Sequence, residues 1–268
     1  MSDGMSGPVL WRVDERNVAY VTLNRPEVYN AYNGELIAAL HATYDALGAK
    51  NPRAVVIAGA GKNFQAGADV AWLKATRESS PADNLKASRA TAEAVQRLNL
   101  LPVPTVALVQ GACFGGGTGI VAACDVVVAA DNAMFSIAEV RVGVAGTIII
   151  PQLNDAISLR QVRRYALTGE RFDAQEARRI GLVHEVVPPH ELTGAGERIV
   201  SAILNNGPDA VAQTKIWALR SAWSHLDAAQ FDALVEAHSA KRQSAEAGEG
   251  LSAFLEKRPP SWQPTKKG

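Results

Sequence analysis

Two glycine-bearing turns, Phe64-Gln65-Ala66-Gly67-Ala68-Asp69 and Gly111-Ala112-Cys113-Phe114-Gly115-Gly116-Gly117, each follow an apolar run and precede a helix-like stretch. A strand that enters a helix through glycine exposes backbone N–H groups, because no side chain shields them and the helix start leaves them without acceptors. Two such turns can aim two donors at one oxygen, and Ala68 and Gly116 are the expected donors. A helix starting at Gly116 or Gly117 adds the positive end of its dipole to the same place. Fixed donors suit a carbonyl oxygen turning into an enolate, where losing one costs about 3–4 kcal/mol of barrier. Tight connections that use glycine only for packing produce the same pattern, and one turn alone does not separate the two readings.

The surrounding periodicity reads as α/β. Val9–Val13 and Val18–Leu23 form a strand hairpin with its turn at Asp14 to Asn17. From Asn33, as N-cap, the spacing of Leu36, Leu40, Tyr44 and Leu47 predicts an amphipathic helix ending near Gly48. Buried-type strands follow at Ala54–Ala58 and Thr105–Val109, with a helix over Asp83–Leu100 between them and another from the triple glycine to Cys124. Asp125–Ala129 and Met134–Phe135 are further strands, and Leu182–Val187 a last one. The remaining signals are helical: Leu159–Leu167, Ala174–Ile180, Glu191–Asn205, Asp209–Trp223, Asp227–Glu246 and Leu251–Leu255. Gly207-Pro208 punctuates the second half, so the expected organisation is a core over 1–206 and a helical region over 207–268. A helical piece of that size makes a marginal core by itself, which points to packing on the core or on another subunit.

Composition excludes several classes. The 268 residues carry 27 Lys+Arg and 27 Asp+Glu, a formal net charge of zero, so no global field favours nucleic acid or an anionic membrane. Cys113 and Cys124 lack zinc-ligand spacing and suggest neither a metal site nor a disulfide framework. No run approaches about 18 apolar residues and the start of the chain lacks a signal pattern, so the expected location is cytoplasmic. There is no Gly-x-Ser-x-Gly elbow, and His41, His184, His190, His225 and His238 read as packed or solvated. Gly59-Ala60-Gly61-Lys62 falls short of a phosphate loop.

A general base should face the oxygen held by the turns. Glu139, in Phe135-Ser136-Ile137-Ala138-Glu139-Val140-Arg141, sits in a mostly apolar segment where desolvation would raise its pKa and suit it to both take and return protons. An ion pair with Arg141 explains the same residue on spacing alone.

The strings Val21-Thr-Leu-Asn-Arg-Pro26, Phe64 to Asp69, Val109 to Gly117 and Leu167-Thr-Gly-Glu-Arg-Phe172 resemble those of the crotonase, or enoyl-CoA hydratase/isomerase, superfamily. Ala174-Gln-Glu-Ala-Arg178, Gly181-Leu-Val183 and Phe254-Leu-Glu-Lys-Arg-Pro259 continue the likeness in the same order, over nearly the whole chain. Phe114-Gly-Gly-x-x-Gly-Ile120, the Glu139-Val-Arg141 segment and Ala68-Asp-x-Ala-Trp72 resemble bacterial methylglutaconyl-CoA hydratase-like proteins. The resemblance implies a spiral of ββα units, C-terminal helices that build trimers or hexamers, and an acyl-CoA thioester substrate with no cofactor beyond the coenzyme A it carries. It puts an oxyanion hole on the N–H groups of Ala68 and Gly116 and the adenine amino group at the carbonyl of Ala66. Arg25 would meet a CoA phosphate or remain a solvated arginine, and Phe254 and Lys257 would close over CoA from a neighbouring subunit.

One position departs from that pattern. Hydratases of this superfamily often carry a glutamate two residues beyond the triple glycine, and here that residue is Gly119. Three readings therefore stand: a hydratase working through Glu139, which the subgroup resemblance favours; a double-bond isomerase, for which one carboxylate suffices; and a non-catalytic acyl-CoA-binding relative. Val144 to Pro151 replaces the proline and glycines that usually follow, and its Ile148–Ile150 run reads as helix core or as a wall of the acyl pocket.

Overall fold

A computed structural model describes residues 4–221, 229 and 245–263. The hairpin forms over β1 (Val9–Val13) and β2 (Val18–Leu23), antiparallel with Val9 opposite Leu23. β2 then runs parallel to β3 (Ala54–Gly59), β3 to β4 (Thr105–Val109), β4 to β6 (Val126–Ala130) and β6 to β9 (Glu185–Val187), giving a six-stranded sheet. A second sheet joins three short strands, β5 (Ala112–Phe114), β7 (Met134–Ser136) and β8 (Phe172–Asp173).

The two sheets are wound together by one repeating step. β4 leads to β5 and then to α4 (Gly116–Ala122); β6 leads to β7 and then, through two 3-10 turns, to α5 (Ile150–Thr168). β3 takes the same path in reduced form: Gln65 bridges in parallel to Cys113 as a one-residue counterpart of β5, and α2 (Val70–Glu78) follows. Three turns of a strand–strand–helix spiral result. α4 starts two residues after β5, so its N-terminus lies beside the second sheet.

Side-chain alternation decides what covers the large sheet. Val55 and Ile57 of β3 face the main core with Leu36, Leu40, Tyr44 and Leu47 of α1 (Gly34–Lys50) and Val95 and Leu98 of α3 (Pro81–Asn99). Ala54 and Val56 face the opposite side, where Val200 and Leu204 of α7 (Leu192–Leu204) cover them. Asn33 caps α1 as its sequence position predicts, its side chain accepting from Leu36 N–H at 2.9 Å.

Several boundaries differ from the sequence reading for local reasons. β6 starts at Val126, not Asp125, because Asp125 turns its carboxylate to Thr105 N–H (2.7 Å) and to Lys215 Nζ (2.7 Å). The last strand begins at Glu185. Leu182 and Val183 instead close the end of α6 (Ala174–Ile180) by donating to Ala177 C=O. α5 begins at Ile150 rather than Leu159, and Ser158, at φ 69°, breaks it midway. Trp223 and most of the 227–246 segment lie outside the described residues.

α8 (Pro208–Ser221) and α9 (Ala245–Glu256) complete the described chain. Lys215 of α8 is buried, and its ammonium donates to both Asp125 and Val103 C=O (3.0 Å), which ties the region after residue 206 to the sheet. Arg53 adds donations to Leu204, Asn206 and Trp262 carbonyls. Lys215→Met is expected to lower stability by about 2 kcal/mol, since it takes the cation from a partly buried carboxylate that keeps only its Thr105 donors and removes the Lys215 donor from Val103 C=O. A lowered urea midpoint at constant slope would report it. Among the described residues no helix is long and apolar enough to cross a membrane.

Candidate active site

The two glycine turns are hydrogen-bonded to each other. Gln65 N–H donates to Ala112 C=O (3.1 Å) and Phe114 N–H to Gln65 C=O (2.9 Å). The fully buried Gln65 side chain closes a ring on its own turn, accepting from Gly67 N–H (2.9 Å) and donating to Gly67 C=O (2.8 Å). Asn30, also fully buried, donates to the carbonyls of Ala60, Asn63 and Phe64 and accepts from Arg25 N–H. The second turn is fixed by Gly115 N–H to Ser136 C=O (2.8 Å) and Thr118 Oγ1 to Gly115 C=O (2.6 Å). Gly115 adopts φ 51°, in the region that favours glycine, and this directs the chain into α4.

Within this framework the Ala68 and Gly116 N–H groups have no protein acceptor among the described residues. Their neighbours do: Gly67 N–H is taken by Gln65, and Asp69 N–H by Tyr32 C=O (2.9 Å). Gly116 is the first residue of α4, whose N–H the helix cannot use.

Glu139 opens a 3-10 turn (Glu139–Val142) immediately after β7. A Cβ on Gly115 would lie 3.1 Å from its Oε1, and one on Gly146 would lie 3.0 Å from its Cδ, so the carboxyl is held between two glycines. Oε2 is buried without a hydrogen-bond partner. Burial pushes the carboxyl pKa above its ordinary value, with partial relief from its own backbone N–H. No cation faces it among the described residues; Arg141 packs beside Gly169 instead, so the ion-pair reading does not hold.

Gly119 is filled from outside the helix. A Cβ there would lie 2.2 Å from Cγ2 and 2.8 Å from Cβ of Ile149, which is itself buried. The Ile148–Ile150 run is therefore core and wall at once. Ile148 and Ile149 border a cavity of about 660 Å³ that is also lined by Glu139 and Gly116 and continues between α1 and α3 along Leu36, Leu40 and Val95. Glu139 and Gly116 thus line one mostly apolar cavity, and Ala68 lies on the turn that is hydrogen-bonded to that of Gly116.

A family described as enoyl-CoA hydratase/isomerase matches residues 14–265. The chain belongs to the enoyl-CoA hydratase/isomerase family. A putative enoyl-CoA hydratase of Thermus thermophilus is 33% identical over 93% of this chain and 98% of its own length. A short-chain-enoyl-CoA hydratase of Clostridium acetobutylicum is 32% identical over 91% and 93%. The crystal structure of an enoyl-CoA hydratase from Shewanella pealeana superposes with a TM-score of 0.92 at 31% identity, covering 97% of each chain. The spiral described above is the α/β crotonase fold of this enoyl-CoA hydratase/isomerase family.

Other residues singled out from the sequence take varied positions in this family member. Arg25 is mostly buried and engaged: it donates to Ala31 C=O (2.5 Å) and pairs with Asp69 (3.2 Å). Asp69 in turn caps α2 through Ala71 and Trp72 N–H. Burial works against Asp69 ionisation, but the hydrogen bonds from Trp72 and Arg25 outweigh it and lower its pKa. Ala66 C=O has no protein donor among the described residues. Lys257 is exposed, and Phe254 lies in α9 with its side chain outside the described residues. His41 and His184 are packed against Ala90 C=O and Val127 N–H.

Sequence reasoning missed Asn30 and Gln65, which fasten the turns without facing the cavity. A signal existed for Asn30: a polar residue four positions after Pro26 and shortly before an amphipathic helix is placed to serve a turn, and its φ of 58° is one asparagine tolerates.

Proposed function

We propose that the protein is an enoyl-CoA hydratase that adds water to a 2-enoyl-CoA thioester with Glu139 as its single acid/base. The observation that carries this reading is that Glu139, whose carboxyl oxygen is buried without a partner, shares one cavity with Gly116, whose turn is hydrogen-bonded to that of Ala68, both residues keeping an N–H without an acceptor among the described residues. The thioester oxygen accepts from both N–H groups. Glu139 takes a proton from water as the water oxygen bonds to the β-carbon, and the π electrons move onto the held oxygen as an enolate. Return of the proton to the α-carbon completes the addition. The raised pKa of Glu139 suits it to both steps. The acyl chain runs along Leu36, Leu40 and Val95. Ala66 C=O accepts from the adenine amino group, Arg25 lies beside the phosphates, and Phe254 and Lys257 of a neighbouring subunit close over the nucleotide.

Gly119 favours a second reading, double-bond isomerisation, because that reaction needs one carboxylate and no bound water. A panel of 2-enoyl- and 3-enoyl-CoA esters separates them. Loss of the conjugated thioester absorbance is the expected result; its gain from 3-enoyl esters alone would make the protein an isomerase. Tight thioester binding with no product would make it a binding protein. Support for trimers or hexamers through residues 207–268 is the small size of that region as an independent core. The buried free thiols of Cys113 and Cys124 fit a reducing cytoplasm.

A further inference from the structure

Hydration through Glu139 alone leaves the attacking water held from one side, and a second polar group stands in the same cavity. Tyr32 is locked to the first turn through its backbone, donating to Gly67 C=O (2.9 Å) and accepting from Asp69 N–H (2.9 Å). Its ring lies on Gly116, where a Cβ would come within 2.5 Å of Cε1, and Trp72 meets it edge-on with centroids 5.6 Å apart. The ring is thus fixed against the oxyanion turn. Its hydroxyl makes no hydrogen bond to protein among the described residues. Burial, and secondarily the Glu139 charge, push the phenol pKa up to about 12, so the group stays a proton donor at neutral pH. Packing over Gly116 would be served equally by phenylalanine, and the fold makes no use of the hydroxyl.

Resting on the hydration reading above, we propose that Tyr32 is a second catalytic group, its O–H holding the reacting water against Glu139 where Gly119 and Ile149 leave no room for another carboxylate. Tyr32 donates to the water oxygen while one water proton points at Glu139. As that oxygen bonds to the β-carbon, its proton passes to Glu139 and the π pair moves to the thioester oxygen under Ala68 and Gly116. Glu139 then delivers the proton to the α-carbon. Tyr32 keeps its own proton throughout and ends hydrogen-bonded to the new β-hydroxyl. Atoms and charge balance with water as the one added molecule.

This role concerns water, so it separates hydration from chemistry at the α-carbon. Tyr32→Phe in the full chain is expected to lower kcat for 2-butenoyl-CoA hydration about tenfold or more, with KM little changed. Exchange of the α-protons of butyryl-CoA in D2O, followed by NMR, is expected to stay at the wild-type rate, because it needs Glu139 and the two N–H groups but no bound water. A hydration rate equal to wild type would overturn the proposal. Equal losses in hydration and exchange would overturn it too, by showing a displaced ring rather than a lost hydroxyl. A wild type that exchanges α-protons yet hydrates no ester of the panel is a distinct result: it removes the hydration reading, and the water-holding role with it.

Discussion

Glu139→Gln is expected to abolish most turnover while making the protein more stable. Removing a positioned acid/base costs about 10²–10⁴ in rate, and glutamine, nearly the same size, still fits between Gly115 and Gly146. Its amide carries no charge to desolvate. Because burial raises the folded-state pKa of Glu139, the folded protein holds its proton more tightly than the unfolded chain. The associated stability is complete below the unfolded value and is lost as pH rises through the folded value. The variant should therefore unfold at higher urea concentration than wild type at about pH 7, and its advantage should vanish at about pH 4. Undiminished turnover in the variant would remove Glu139 from the mechanism.

The second large effect joins two residues that are far apart in sequence. Ile149→Ala should cost about 2–5 kcal/mol through the cavity it opens, and Gly119→Ala about 1–3 kcal/mol through overpacking against Ile149. Each change relieves the other, so the double variant should be more stable than the sum of the singles by roughly 1 kcal/mol or more. Urea unfolding of the four proteins measures this coupling directly. Simple additivity would mean that Ile149 does not occupy the space beside Gly119. The cycle bears on mechanism, because a filled space at 119 commits the site to one carboxylate.

The parts of the fold legible in the sequence are those built from local periodicity. The β1–β2 hairpin, α1 with its Asn33 cap, β4 and α6 appear with the bounds that alternation and helical spacing predict, or within a few residues of them. β5 and β8, at three and two residues, are too short to show a period, and β5 reads as part of a turn until β7 pairs with it. The first half of α5 is masked by Pro151 and by the break at Ser158. In the candidate site, the glycine pattern pointed to Ala68 and Gly116, and the apolar context pointed to Glu139. The plug at Gly119, the ring of Tyr32 on Gly116 and the buried clamp Asn30 were not legible, because each is defined by a partner supplied from a distant part of the chain, and the Gln65 clamp, though local, leaves no periodic signal.

The most direct measurement follows the α-protons of a saturated acyl-CoA, butyryl-CoA, in D2O by NMR with wild type and Glu139→Gln side by side. It reads enolate formation at the convergence of Ala68, Gly116 and Glu139 without requiring water addition or a shifted double bond. The account predicts steady loss of the α-proton signal with wild type and none above background with the variant. Exchange that proceeds equally in both proteins, or is absent from the wild type while the thioester is bound, would contradict it.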